Sequence, residues 1–183
     1  MAKRKTLTIE GSRFEGMAFL FFHTVAPNYS FVDDLNHLYS LELARMEDML
    51  LDDGQWPVYY YRDTMRRMTY YLIERPAIAL GNATYWGGGQ KMLLIQGDGA
   101  TIEAERIGND FGTESHKAEE DDIAAQEHNA MIEAMLRDFV MVTLFDPEKA
   151  PEGLARKALK ERNELQALLE RIIDYLDLQR EYD

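Results

Sequence analysis

Residues 17–22, Met-Ala-Phe-Leu-Phe-Phe, form the apolar run that decides the fold of this chain of 183 residues. Successive side chains of a strand point to opposite faces, so a strand that is apolar at every position is covered on both faces. We therefore predict a central, fully covered strand here. The run is far shorter than the roughly 20 residues that a membrane span needs, and we expect no membrane partner.

Other strand and helix signals surround this run. Apolar or alternating stretches predict strands at 6–12, 56–62, 68–74, 91–96 and 140–145. Ser30 can cap a helix, although periodicity leaves open whether that helix continues to Leu51. We predict a single α+β domain over 1–150, with a mainly antiparallel sheet of about five strands and two or three helices. The helix after Ser30 and the C-terminal helix are expected to cover one face of the sheet.

The charge is strongly acidic and unevenly distributed. The formal net charge is −13, which argues against nucleic-acid partners and against anionic membrane surfaces. Residues 108–128 hold seven acidic side chains and a single lysine. A run of like charges is usually a solvated segment, so we predict an acidic, mobile insertion at 108–128.

The residues supply no cofactor, metal or catalytic motif. The chain has no cysteine, which excludes disulfides and thiolate sites and favours a reducing, cytoplasmic location. The triple glycine at 87–89 precedes Lys91, but a strand follows where a phosphate loop requires a helix. His116 and His128 flank the acidic run without a standard metal-ligand spacing. Glu127 and His128 are adjacent on a predicted helix, so they point about 100° apart and cannot easily address one substrate.

Two classes of function fit these observations. The first is a non-enzymatic interaction or regulatory module that works through an exposed helix, a sheet surface or the acidic loop. The second is a small-molecule-binding protein or enzyme with a pocket lined by the two tyrosine-rich strands. The absence of a nucleophile–base pair or metal signature favours the first, and leaves any catalytic residue unknown. The candidate pocket residues are Trp56, Tyr60, Tyr70, Arg45, Arg62 and Arg67.

The region 151–183 is predicted to be an amphipathic C-terminal helix. Its apolar stripe is broad, which suits docking on a surface better than a two-stranded coil. The helix either docks on the sheet of its own chain or pairs with its copy, and we favour the copy because a terminal helix can reach a neighbour. The predicted homodimer contacts are Leu165, Leu169, Ile172 and Leu176.

Several stretches in this order resemble the IPExxxVDY family of bacterial proteins. The matching stretches are MAFLFFH at 17–23, DLNHL at 34–38, LARMED at 43–48, the tyrosine-rich hairpin, MLLI at 92–95 and VTLFDPEK at 142–149. The Ile-Pro-Glu that names the family is absent, and the corresponding region at 79–86 reads ALGNATYW. That family has no established activity to carry over, so the resemblance implies a fold and no site residues.

Overall fold

A computed structural model of the protein describes residues 13–24, 26–52, 54–76, 91–111, 123–137, 141–149 and 152–180. The strands are β1 Met17–His23, β2 Ala44–Arg45, β3 Met49–Leu51, β4 Gly54–Trp56, β5 Val58–Asp63, β6 Met68–Glu74, β7 Lys91–Gln96 and β8 Met141–Phe145. The helices are α1 Asn28–Tyr39, α2 Ala100–Asp110, α3 Ile123–Arg137 and α4 Arg156–Arg180. The strands predicted at 6–12 and the glycines at 87–89 lie outside the described residues.

Six of these strands form one antiparallel sheet in the order β2-β5-β6-β7-β1-β8, and β3 pairs with β4 in a separate two-stranded sheet. The predicted α+β class with a mainly antiparallel sheet is confirmed. The run at 17–22 forms β1, an interior strand between β7 and β8. Leu20 and Phe22 face one side and Phe19 and Phe21 the other, and all four are buried.

Each face of the sheet has its own hydrophobic core. The first face carries α1, α2 and α3, and its central side chains are Leu20, Phe22, Phe31, Leu35, Tyr70, Leu72, Leu93, Ile95, Ala104 and Ile107. The second face carries α4 and the small β3–β4 sheet, and its central side chains are Phe19, Phe21, Trp56, Tyr71, Ile73, Met92, Leu94, Leu169 and Ile172. The expectation that α1 and α4 share a face is therefore wrong. A sheet that is apolar on both sides needs a cover on each side.

Helix α1 is shorter than the sequence allowed. It ends at Tyr39 because Ser40 adopts a left-handed conformation (φ 51°) and donates its backbone N–H to the Asn36 carbonyl. The Asn36 side chain then accepts from the Leu43 backbone N–H at 2.9 Å and donates to the Leu43 carbonyl at 3.2 Å. These bonds hold the turn that leads into β2, so the helix does not continue to Leu51.

Helix α4 docks on the sheet of its own chain. All four predicted dimer contacts are buried in the second-face core, with Leu169 and Ile172 fully inaccessible. The structure gives no support to the predicted homodimer through Leu165, Leu169, Ile172 and Leu176, because these side chains already have partners within the chain. At the other end of the helix, the buried Arg162 donates to the Asp146 carbonyl and lies 4.8 Å from the centre of the Phe145 ring.

The predicted acidic insertion overlaps two helices. Residues 108–110 are the last turn of α2, and residues 123–128 are the beginning of α3. Between them, Phe111 is buried and packs edge-on against Phe22 at 5.8 Å. Residues 112–122, the remainder of the segment 108–128 that is predicted to be mobile, lie outside the described residues.

Candidate functional site: a tyrosine–arginine cavity on the second face

The hairpin of β5 and β6 places four functional side chains in a square on the second face. In the register of this hairpin, Tyr60 lies opposite Tyr71 and Arg62 lies opposite Thr69. Tyr60 and Arg62 are two residues apart on one strand, as are Thr69 and Tyr71 on the other, so each pair points to one face. The two tyrosine rings are 5.2 Å apart and inclined by 43°. A row of aromatic rings therefore runs beside a row formed by a cation and a hydroxyl.

A cavity of about 490 Å³ lies over this square. Leu176 and Gln179 close it from the last turns of α4, where a spacing of three residues puts them on one side of the helix. Met46 closes it beside β5, and its backbone N–H donates to the Val58 carbonyl at 3.0 Å. The volume lies within the range of sites for small molecules, and the lining combines polar side chains with the apolar Met46 and Leu176.

Arg62 is the charged member of the described cavity lining. Its side chain is exposed and makes no ion pair or hydrogen bond with any other described residue. Its neighbour in the same hairpin behaves differently, because Arg66 contacts Asp63 at 3.5 Å and Glu103 at 3.8 Å. Arg62 thus presents to the cavity a positive charge that no described residue pairs with, in an acidic protein.

The structure brings only two of the six predicted pocket residues, Tyr60 and Arg62, to this cavity. Trp56 and Tyr70 are core residues with no accessible surface, on the second and first face respectively. Arg45 is exposed, pairs with Asp48 and lies 5.2 Å from the centre of the ring of Tyr59, its partner on β5.

Arg67 lies in the turn of the β5–β6 hairpin with a left-handed backbone (φ 54°). Thr69, Met46, Leu176 and Gln179 are cavity residues that sequence reasoning missed, whereas Tyr71 lies in the second of the two tyrosine-rich strands predicted to line the pocket. The hairpin register could have identified Thr69, since pairing Tyr60 with Tyr71 also pairs Arg62 with Thr69.

The first face holds a second polar group, centred on the buried Glu103 of α2. Arg106 donates to both carboxylate oxygens of Glu103, at 2.7 and 3.0 Å, and the Tyr70 hydroxyl donates at 3.3 Å. Burial alone would raise the pKa of Glu103, but the bonds from Arg106 and Tyr70 and the charge of Arg66 hold it below its usual value. Burial and the Glu103 charge raise the pKa of Tyr70 to about 12.

Asp110, at the end of α2, joins three helices. It accepts from the Tyr39 hydroxyl of α1 at 3.0 Å, and its Oδ2 lies 3.1 Å from Nε2 of His128 in α3. Burial first, and then the neighbouring Asp110, raise the pKa of Tyr39. Sequence reasoning paired His128 with Glu127 and dismissed the pair. The actual partner lies 18 residues earlier in the chain, and no local pattern indicates it.

Lys91, the residue that suggested a phosphate loop, is almost fully buried. Its ammonium group lies 3.6 Å from Glu74 and 5.8 Å from the centre of the Phe31 ring, and Asn28 donates to the same Glu74 carboxylate. Burial lowers the pKa of Lys91, while Glu74 opposes that effect. A lysine held in this way ties β6 and β7 to the beginning of α1 and is not presented to a phosphate.

Within the described ranges, no three His, Asp or Glu side chains lie close enough together to hold a metal ion. None of the helices in the described part of the chain has both the length and the apolar character required to cross a membrane.

Comparison with known proteins gave no match, either to a protein family or to a curated protein. The resemblance to the IPExxxVDY family therefore stays a prediction.

Proposed function

We propose that this protein binds a small organic molecule in the cavity between the β5–β6 hairpin and the end of α4. The observation that carries this proposal is Arg62, which has no partner among the described residues, beside the Tyr60–Tyr71 pair in a cavity of about 490 Å³. A cavity in which a cation, a hydroxyl and two aromatic rings converge has the features of a site for a small molecule.

Binding is favoured over catalysis by the chemistry of the lining. The described lining residues offer hydroxyl, amide and guanidinium groups, but no carboxylate, imidazole or amine that could act as a general base. The other class of function is an interaction module working through an exposed helix, a sheet surface or the acidic loop, and its helix version loses support because α4 buries its apolar stripe in the chain. A regulatory role remains compatible with the proposal, since ligand binding can itself be the signal.

Two narrower proposals accompany this one. Without cysteine in the chain, we place the protein in the cytoplasm.

With a net charge of −13, we expect no DNA or RNA complex at about 150 mM salt, because the overall field repels phosphates. Fluorescence anisotropy with labelled DNA and RNA oligonucleotides measures this directly. A sub-micromolar complex weakened by R62A, R66A and R67A would contradict it.

A fragment screen by thermal shift tests the main proposal. A ligand present at about 100 times its Kd stabilises the protein by about 2.7 kcal/mol. Each hit is then repeated on two variants of adjacent residues in α4. Gln179→Trp fills the cavity from the helix side, whereas Leu178→Trp changes a neighbour that is 57% exposed and outside the lining.

We expect hits that are lost in Gln179→Trp and kept in Leu178→Trp. A screen without hits, or hits unaffected by Gln179→Trp, would contradict the proposed site. The melting temperatures of the unliganded variants serve as the control for folding.

A further inference from the structure

We infer that the ligand of this cavity is a planar aromatic carboxylate, with its carboxylate on Arg62 and Thr69 and its ring system against Tyr60 and Tyr71. This inference rests on the proposed function and adds the chemical class of the ligand to it.

The spacing of the square sets the shape of the ligand. The ring row and the cation–hydroxyl row are two residues apart along each strand, which is about 6.8 Å in an antiparallel sheet. A molecule that lies along the strands therefore meets an aromatic surface at one end and polar donors at the other. A ligand with an aromatic ring at one end and an acid group at the other matches this arrangement.

The charge of the cavity favours a ligand with one negative charge over a ligand with two. Arg62 supplies a single positive charge, and its guanidinium can donate two parallel hydrogen bonds to a carboxylate. Thr69, directly opposite, adds one hydroxyl. A phosphate dianion would require more cations than the described lining contains, and the remainder of this acidic protein would repel it.

The walls of the cavity favour an aromatic over a saturated ring system. Both Tyr60 and Tyr71 line the cavity, and their ring centres lie 5.2 Å apart, so an aromatic ligand meets aromatic rings there, with which it packs favourably. Met46 adds a polarisable thioether that adapts to a flat ring, and Leu176 adds an apolar wall. A cavity of about 490 Å³ has room for two fused rings.

Three matched probes test this inference by isothermal titration calorimetry at about 150 mM salt. They are 2-naphthoate, the neutral 2-naphthamide, and the saturated acid decahydronaphthalene-2-carboxylate. We expect naphthoate to bind about 10-fold to 100-fold more tightly than naphthamide, which is the usual effect of hydrogen bonds to a charged group. We also expect it to bind more tightly than the saturated acid.

Arginine variants assign the charge effect to its residue. Arg62→Gln should abolish the preference for naphthoate over naphthamide, and Arg62→Lys should restore part of it. The matched control is Arg45→Gln, on the neighbouring strand and already paired with Asp48, which should leave the preference unchanged. Because Arg62 is exposed and unpaired among the described residues, its variants should melt at the wild-type temperature.

The possible failures are distinguishable. Equal binding of naphthoate and naphthamide, with loss of both in Gln179→Trp, would overturn the carboxylate inference and leave the binding site intact. Equal binding of the aromatic and saturated acids would overturn the aromatic part. If no probe binds and the fragment screen also yields nothing, the proposed function fails together with the inference.

Discussion

On the first face of the sheet, the carboxylates of Glu103 and Asp110 are paired with neighbouring side chains, whereas on the second face the charge of Arg62 lines an open cavity. Glu103 has Arg106, Arg66 and Tyr70 as partners, and Asp110 has Tyr39 and His128. A buried charge needs such partners because its desolvation is costly. The comparison separates charges that hold the fold together from a charge that is available to a ligand.

The largest expected effect concerns the cover of the second face. Leu169→Asp puts a charge at a fully buried position of α4, so we expect a loss of about 4 kcal/mol or more in unfolding free energy. Urea unfolding measures the loss, and sedimentation should show an unchanged mass. Leu178→Asp, at a position of α4 that is 57% exposed, is the control. An unaffected Leu169→Asp variant would mean that α4 does not cover this face.

The next effect concerns the buried carboxylate of the first face. Glu103→Gln weakens the bonds with Arg106 and Tyr70, and we expect a loss of about 1–3 kcal/mol at pH 7. Glu105→Gln, an exposed glutamate of the same helix, should cost little.

The unfolding free energy lost in Glu103→Gln should become smaller as the pH is lowered. The pKa of Glu103 is lower in the folded protein than the usual 4.5, so its contribution is fully present above that pH and declines as pH falls through the folded pKa. The advantage of the wild type over Glu103→Gln should therefore shrink in urea unfolding below about pH 4.5. An advantage that stays constant to pH 3.5 would contradict this assignment.

A smaller effect is expected at the junction of α1, α2 and α3. Tyr39→Phe removes the hydroxyl that donates to Asp110 but leaves His128 in place, so we expect a loss of about 1 kcal/mol. The matched control is Tyr29→Phe, because Tyr29 is 77% exposed on the same helix. Equal melting temperatures for the two variants would show that this hydroxyl does not stabilise the junction.

The smallest expected effect on stability is that of Arg62, and it tests the contrast between the two faces most directly. Arg62→Ala removes a cation with no partner among the described residues, so its unfolding free energy should stay within about 0.5 kcal/mol of the wild type. Arg106→Ala removes the bidentate partner of Glu103 and should cost about 1–3 kcal/mol. If both arginines matter equally to stability, Arg62 has a structural role and the contrast between the two faces disappears.

The sequence predicts strands better than it predicts which helix covers which face. The apolar run at 17–22 indicates an interior strand because its side chains are apolar in both directions, and β1 is one. Helix α2 was missed, although Ala100, Ala104 and Ile107 have the helical spacing of a narrow buried stripe. Small apolar residues among charged ones give a weak periodic signal.

The residues of the candidate site were likewise predicted only in part. All six predicted pocket residues came from the two tyrosine-rich strands or their surroundings; Tyr60 and Arg62 line the cavity, whereas Trp56 and Tyr70 are core residues. Side chains alternate between the two faces of a strand, so the hairpin register alone is enough to place Tyr70 and Tyr60 on opposite faces of the sheet. Nothing local could bring Gln179 to the cavity, because its place depends on how α4 crosses the second face.

The strand order also has a consequence for synthesis of the chain. β1 lies between β7 and β8, and 67 residues separate its end at His23 from the beginning of β7 at Lys91. At a translation rate of about 5–20 residues per second, these residues take roughly 3–13 s to follow β1 out of the ribosome. For that time, a strand with phenylalanines on both faces has neither neighbour available. β1 is therefore the segment of the nascent chain on which a chaperone that holds apolar strands would act first.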